Sequence, residues 1–261
     1  MRQQLGLALA AGLVLLLPAD VRGGAAPGAG LGPAEPEFRF MRLAYSDNPD
    51  SGFGRFRGGF GGRGSWMTDA PEAEQHFMQG VDRLTRLKVS HEFHAVQPLD
   101  EALFEAPFLY AVEVGRWYLN DEEAARLREY LLRGGFLMVD DFHGSLQWES
   151  FMESMRRVFP DREVVEIPDS HEVFHVLYDL DQKVQIPGAA ALRSGRTYER
   201  DGVEPHWRGV FDDNGRLMVA INFNMDLGDA WELADDPGYP QPLTALAYRF
   251  GINYVLYAMS H

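Results

Sequence analysis

Apolar and polar positions along the chain change period several times, and each change predicts an element. Residues 38–43 alternate apolar with basic side chains, the period of a half-buried strand. Two later runs, Phe108-Leu109-Tyr110-Ala111-Val112 and Phe136-Leu137-Met138-Val139, are apolar throughout, as strands buried on both faces are. Shorter strand candidates lie at 87–89 and 164–167. Between them the period lengthens to that of helices. Ala73, Phe77, Val81 and Leu84 share one face behind Asp69, which reads as an N-cap with Glu72 as its reciprocal partner. Asn120 caps the next helix, with Glu123 at the boxed position, Ala124, Leu127 and Leu131 inward, and Gly134 as the stop. A third helix carries Trp148, Phe151, Met152, Met155 and Val158, a stripe that reads as core.

Strand and helix in alternation predict an α/β fold over 38–167, with a doubly wound, mostly parallel sheet. From Leu177 the texture becomes turn-rich. Residues 211–217 read as a hairpin in which Asn214-Gly215 supplies positive φ angles, and the strand Leu217–Phe223 runs on toward Asn224 and Asp226. Thr244 reads as the cap of a final helix through Leu246, Ala247, Phe250, Tyr254 and Tyr257. The expected organisation is a single α/β domain over 37–261 whose C-terminal elaboration, about 177–261, is rich in strands and turns.

The first residues add an address. Arg2, an apolar stretch over 5–17 and the small residues around Gly23 have the three parts of a secretory signal peptide, expected over 1–23. The stretch is short for a bilayer span, which needs about 20 residues, and after its removal no transmembrane span is expected. Residues 24–36, rich in Ala, Gly and Pro, read as a flexible tether, and 51–65 as a glycine-rich loop carrying Arg55, Arg57 and Arg63. The expected location is the periplasm or the exterior. With no cysteine, disulfides, thiolate metal sites and a cysteine nucleophile are excluded. Acidic residues outnumber basic ones 39 to 24, a net charge of −15, which argues against nucleic acid and anionic membranes as partners.

Chemistry concentrates in two places. The strand 136–139 ends abruptly in Asp140-Asp141-Phe142-His143-Gly144, and open α/β sheets bind ligands outside the carboxyl ends of their strands. Asp141 and His143 are the candidate catalytic pair; the alternative is that Asp140 or Asp141 caps the next helix. Glu113, which ends the preceding strand, is expected beside them, and Glu113 and Asp140 are candidate ligand-binding residues. The second concentration spans 199–236. His206, Arg208, Asn222, Asn224 and Trp231 are candidate ligand-binding residues there, and His206, Asp226 and Asp229 candidate ligands of a divalent cation. Asp226-Leu227-Gly228-Asp229 resembles a calcium loop but lacks the EF-hand spacing. No serine sits in G-x-S-x-G, since Gly144-Ser145-Leu146-Gln147 has no second glycine, which disfavours a serine hydrolase. If the C-terminal segment folds over the strand edge, the two concentrations form one site.

Val112-Glu113-Val114-Gly115, the long segment from Leu127 to Gly144, Pro205-His206-Trp207-Arg208-Gly209, the stretch from Asn222 to Glu232 and Tyr248-Arg249-Phe250-Gly251-Ile252-Asn253-Tyr254 resemble the bacterial family called domain of unknown function 4159. The resemblance covers the chain from about Phe38 onward. It implies a flavodoxin-like fold related to class I glutamine amidotransferase-like domains, and it supplies no activity. Amidotransferases carry a nucleophilic cysteine after a strand; this chain has none, so that mechanism is excluded. Two expectations remain. One is a catalytically silent protein that binds a small-molecule or envelope ligand in an acidic, histidine-bearing crevice. The other is a metal-assisted or acid/base hydrolase acting on an envelope sugar or peptide-type substrate.

Overall fold

A computed structural model of the chain describes residues 35–49, 64–181 and 183–261. The signal-peptide reading, nearly all of the tether and nearly all of the arginine–glycine segment lie outside the described residues. Within them, β1 (Met41–Leu43), β2 (Ser46–Asp47), α1 (Glu72–Leu84), β3 (His94–Val96), β4 (Phe108–Val112), β5 (Trp117–Tyr118), α2 (Asp121–Leu132) and β6 (Phe136–Asp140) come first. They are followed by α3 (Gly144–Val158), β7 (Val165–Glu166), α4 (Ala189–Arg193), β8 (His206–Phe211), β9 (Leu217–Phe223), α5 (Leu227–Glu232) and α6 (Gln241–Ser260). Seven strands form one sheet in the order β3-β1-β4-β6-β9-β8-β7, and β2 pairs with β5 apart from it. β3, β1, β4, β6 and β9 are mutually parallel, while β8 is antiparallel to both its neighbours. Five carboxyl ends therefore share one edge.

The unbroken apolar runs have two faces to satisfy. Phe108, Tyr110, Val112, Phe136 and Met138 join Phe77 and Val81 of α1 and Phe250, Tyr254 and Tyr257 of α6 in one core. Leu109, Ala111, Leu137 and Val139 turn to the opposite core, with Leu127 and Leu131 of α2 and Phe151, Met155 and Val158 of α3. Each such side chain contributes about 1.5–3 kcal/mol by leaving water, against about 0–1 kcal/mol for an exposed ion pair. In a chain without disulfides, these two cores hold the α/β fold.

The best-signalled elements stand where their signals put them. Asn120 Oδ1 accepts from the N–H groups of Glu122 and Glu123, Glu123 Oε2 accepts from Asn120 N–H at 2.9 Å, and Gly134 leaves α2 at φ 111°. β4 and β6 are adjacent and parallel, with Val112 opposite Asp140. Elsewhere the outcome differs. Helix α1 starts at Glu72, because the residue before a proline avoids helical backbone; Asp69 thus lies off the helix, where its carbonyl accepts from Ala73 N–H at 2.9 Å while Pro71 is the N-cap, and Leu84 is exposed. Residues 87–89 contribute only the bridge from Val89 to Phe38, and the edge strand is β3. The 164–167 strand does not follow β6 in the sheet. β9, buried at every residue, takes that central place, while β7, exposed at both residues, is an edge strand beyond β8. In the β8–β9 turn Gly215 alone has positive φ (84°), not Asn214. Helix α6 begins ahead of Thr244, at Gln241, with a proline in its first turn, a position where a missing N–H is harmless. No helix of the described residues is long and apolar enough to cross a membrane.

Candidate functional site

Three of the parallel strands leave the sheet through left-handed residues: β4 into Glu113 (φ 53°), β6 into Asp141 (φ 51°) and, past its last residue, β9 into Asn224 (φ 64°). Asp69 (φ 61°) and Arg200 (φ 51°) complete the non-glycine residues with positive φ among those described. Such backbone costs on the order of 1–3 kcal/mol per residue and survives where surrounding bonds over-determine it. Those bonds run from strand end to strand end. Glu113 N–H donates to Asp140 O (3.1 Å), Asp141 N–H to Met225 O (3.1 Å) and Asn224 N–H to Phe142 O (3.0 Å).

The side chains at this edge are acids drawn from separate segments. One carboxylate oxygen from each of Asp69, Asp141 and Asp226 lies within 4.8 Å of the other two, and Asp69, Asp229 and Glu232 form a second set of the same kind. Asp226 caps α5, its Oδ1 accepting from Asp229 N–H at 2.7 Å, and Asp229 Oδ2 accepts from Ala189 N–H at 2.7 Å. Glycine permits the crowding: a Cβ on Gly188 would stand 2.7 Å from Asp226 Oδ2, 3.1 Å from Glu199 Oε1 and 3.2 Å from Asp229 Oδ2. A Cβ on Gly228 would stand 2.6 Å from Asp69 Oδ2.

Burial first, and then the neighbouring carboxylates, push the Asp69, Asp141 and Asp226 carboxyls well above the usual range. Arg42 opposes the shift at Asp69, and Arg116 and Arg200 oppose it at Asp141. Glu113 is raised to about 8, by burial and by Asp141, although Arg116 Nε lies 3.0 Å from its Oε2. His143 Nε2 lies 3.1 Å from Asp141 Oδ1, and burial lowers its pKa, so the ring is neutral near pH 7. Charge repulsion among buried acids is relieved by taking up protons or by a cation. An all-oxygen set of this size could hold a hard divalent ion, with Asp69, Asp141 and Asp226 as the candidate ligands.

The remaining predicted residues have other occupations. Asp140 is fully buried, and its Oδ2 accepts from Leu227 N–H (2.7 Å), Gly228 N–H (3.0 Å) and Tyr110 O–H (3.3 Å), anchoring the start of α5. It does not cap α3, nor does Asp141. The N–H groups of Gly144 and Ser145 are instead taken by Asn224 Oδ1 (2.8 Å) and Asp201 Oδ1 (3.0 Å). Asn224 also donates to Glu204 O, so it clamps two loops together. Asn222 is wholly buried and accepts from Tyr254 O–H at 2.9 Å. Trp231 is wholly buried among Phe40, Phe77 and Tyr110, a core residue rather than a stacking platform.

His206 and Arg208 are not among the clustered acids. They share Glu166 of β7, at 2.8 and 2.7 Å, while Arg208 lies over Trp148 and the His206 ring stacks on Phe223. Alternation along β8 explains this, since His206 and Arg208 take one face and Trp207 the other, where it stacks on Phe250. The two concentrations of chemistry do meet, through Asp141, Asp226 and Asp229, but without His206. Asp69 is the member that sequence reading assigned elsewhere, as a helix cap. Its signal is Pro71, which immediately precedes the helix and leaves Asp69 outside it.

No curated protein matches the chain. A family model does, over residues 50–259, and its description is domain of unknown function (DUF4159). By that match, which takes in every residue of the acidic cluster, the chain belongs to the DUF4159 family.

Proposed function

We propose that this is an exported ligand-binding protein of the cell envelope whose crevice works with a divalent cation held between Asp69, Asp141 and Asp226. The observation that carries the reading is the convergence of these carboxylates, each from a different segment, within 4.8 Å of one another. Calcium, magnesium and manganese are the ions of choice, because an all-oxygen set suits hard cations. Hydroxyl-rich or carboxylate ligands would complete the ion's coordination from the solvent side. Export rests on Arg2, the apolar stretch and the small residues near Gly23.

A flavodoxin-like, amidotransferase-like ancestry is supported by strand order. Counted along the chain, the five parallel strands stand second, first, third, fourth, fifth across the sheet, and ligands in such sheets bind where the order reverses. Without the nucleophilic cysteine, the reading is a pseudo-amidotransferase that binds rather than hydrolyses. A second reading, metal-assisted hydrolysis of an envelope sugar or peptide-type substrate, is favoured by the His143–Asp141 contact, which orients a neutral imidazole beside the cluster.

The test is thermal. Chelated wild type is titrated with calcium, magnesium, manganese and zinc, alongside Asp69→Asn, Asp141→Asn and His206→Ala. An ion at a hundred times its Kd adds about 2.7 kcal/mol, a rise of roughly 5–10 °C for a chain of this size. Wild type and His206→Ala should show the rise, and the two Asn variants should lose it. No rise with any cation removes the metal and leaves an acidic crevice for an organic ligand.

A further inference from the structure

Arg42 lies in the middle of β1, between the buried Met41 and Leu43, and is itself wholly buried. A buried guanidinium is unfavourable unless its donors are matched, so its partners say why it is there. Nη1 donates to two carbonyls, Trp66 O at 2.8 Å and Thr68 O at 2.6 Å. Nε pairs with Glu74 in the first turn of α1, and the guanidinium lies over the Tyr110 ring, 5.2 Å from its centre. Trp66 and Thr68 lead into Asp69, and Glu74 follows it. Arg42 thus grips the chain on both sides of Asp69, which unlike Asp141 and Asp226 is held by neither a strand end nor a helix cap.

We propose that Arg42 is a positioning residue: it fixes the turn at 66–69 so that the Asp69 carboxylate reaches Asp141 and Asp226. The consequence for cation binding rests on the reading given under Proposed function; the placement of the turn does not. Planar, forked donors matter here, because a lysine ammonium cannot span two carbonyls and a carboxylate in the same way. Simple electrostatics makes the opposite forecast. A positive charge beside Asp69 repels a bound cation, so removing it should tighten binding, whereas a positioning role means that removal weakens it.

Two variants keep the question answerable. Arg42→Lys retains the charge and loses the fork, and the double variant Arg42→Met/Glu74→Met removes both buried charges together, which proteins tolerate better than one left alone. Folding is checked by the melting temperature under chelation. Hydrogen exchange is then followed in chelated protein at Met67, Thr68 and Ala70, whose N–H groups bond to Gly64 O, Ser65 O and Met67 O. Both variants should lose protection at these amides and keep it along β6. Titration with Mn2+ should show binding weaker by about 10- to 100-fold, the usual effect of removing a residue that orients a ligand. Unchanged protection at 67–70 overturns the proposal, as does Mn2+ bound as tightly as in wild type or more so. If wild type binds no Mn2+, the cation reading falls and the exchange measurement alone decides the role of Arg42.

Discussion

Two histidines of this protein touch carboxylates at strand ends of the one sheet, His143 just past β6 and His206 at the start of β8, and the two contacts differ in kind. His206 and Glu166 lie 2.8 Å apart with side chains 31% and 57% exposed, and Arg208 shares the same oxygen of Glu166. His143 and Asp141 lie 3.1 Å apart with side chains 4% and 12% exposed, and around Asp141 the acids Asp69, Glu113, Asp140, Glu199, Asp226 and Asp229 outnumber Arg116 and Arg200. Water and a paired charge settle the first contact, and neither partner needs anything more. In the crevice, burial removes the water and further acids remove the compensation, so the carboxyls rise in pKa and a cation has something to relieve. Composition alone does not separate the two, since both join an imidazole, a carboxylate and nearby arginine. What separates them is whether the charges are already satisfied within the fold.

The largest effect expected from this contrast comes from beneath the crevice. Trp231 follows the acids Asp226 and Asp229 in α5 yet packs its ring against Phe77, 4.4 Å between centres. Trp231→Ala should destabilise the protein by about 3–5 kcal/mol through lost burial and a cavity, measured by urea unfolding. A loss below about 1 kcal/mol would return Trp231 to the set of ligand-stacking candidates.

A smaller effect should appear with pH. Glu113 faces Asp141, Arg116, His143 and Arg200, and its pKa goes from an ordinary 4.5 to about 8 in the folded protein. Between those values the folded chain keeps a proton that the unfolded chain has released. Stability of the chelated protein should therefore fall as pH rises from about 4.5 to about 8, with this group contributing up to about 1.4 kcal/mol per pH unit. Glu113→Gln should flatten that slope. An unfolding series in which Glu113→Gln and wild type keep parallel pH profiles would break the contrast at its strongest member.

How much of this was legible beforehand follows the same division. Of the strands buried on both faces, 108–112 is legible at full length and 136–139 stops one residue short of β6, because its last residue Asp140 is buried although acidic, and the site at their carboxyl ends follows from sheet geometry. Asp141, His143, Asp226 and Asp229 were visible as a concentration of acids and imidazole around strand and helix ends. Asp69 was hidden, since an Asp three residues ahead of a Glu imitates a helix cap and only Pro71 argues otherwise. Arg42 sits in an alternating apolar–basic stretch that reads as half-exposed, and its burial is set by partners 24 to 32 residues away. His206 misled for a related reason: residue type marks chemistry, but the face of the strand decides what that chemistry meets. Strand order was similarly beyond local pattern, because β9 reaches the centre of the sheet through a long excursion that also makes β7 and β8.

The smallest effect is the one that most directly tests the division. Removing the His206 imidazole takes away one partially exposed contact to Glu166, while Arg208 Nε remains 2.7 Å from the same oxygen. An exposed ion pair contributes about 0–1 kcal/mol, and here the surviving arginine keeps the carboxylate paired. His206→Ala should thus lower stability by no more than about 1 kcal/mol and leave any cation-dependent rise in melting temperature intact. Adding Glu166→Gln should change little further, since no buried charge is stranded. If His206→Ala instead removes the cation response as fully as Asp141→Asn does, the imidazole must swing away from Glu166 to reach the ion. The paired patch on β8 and the acidic crevice would then be one site after all.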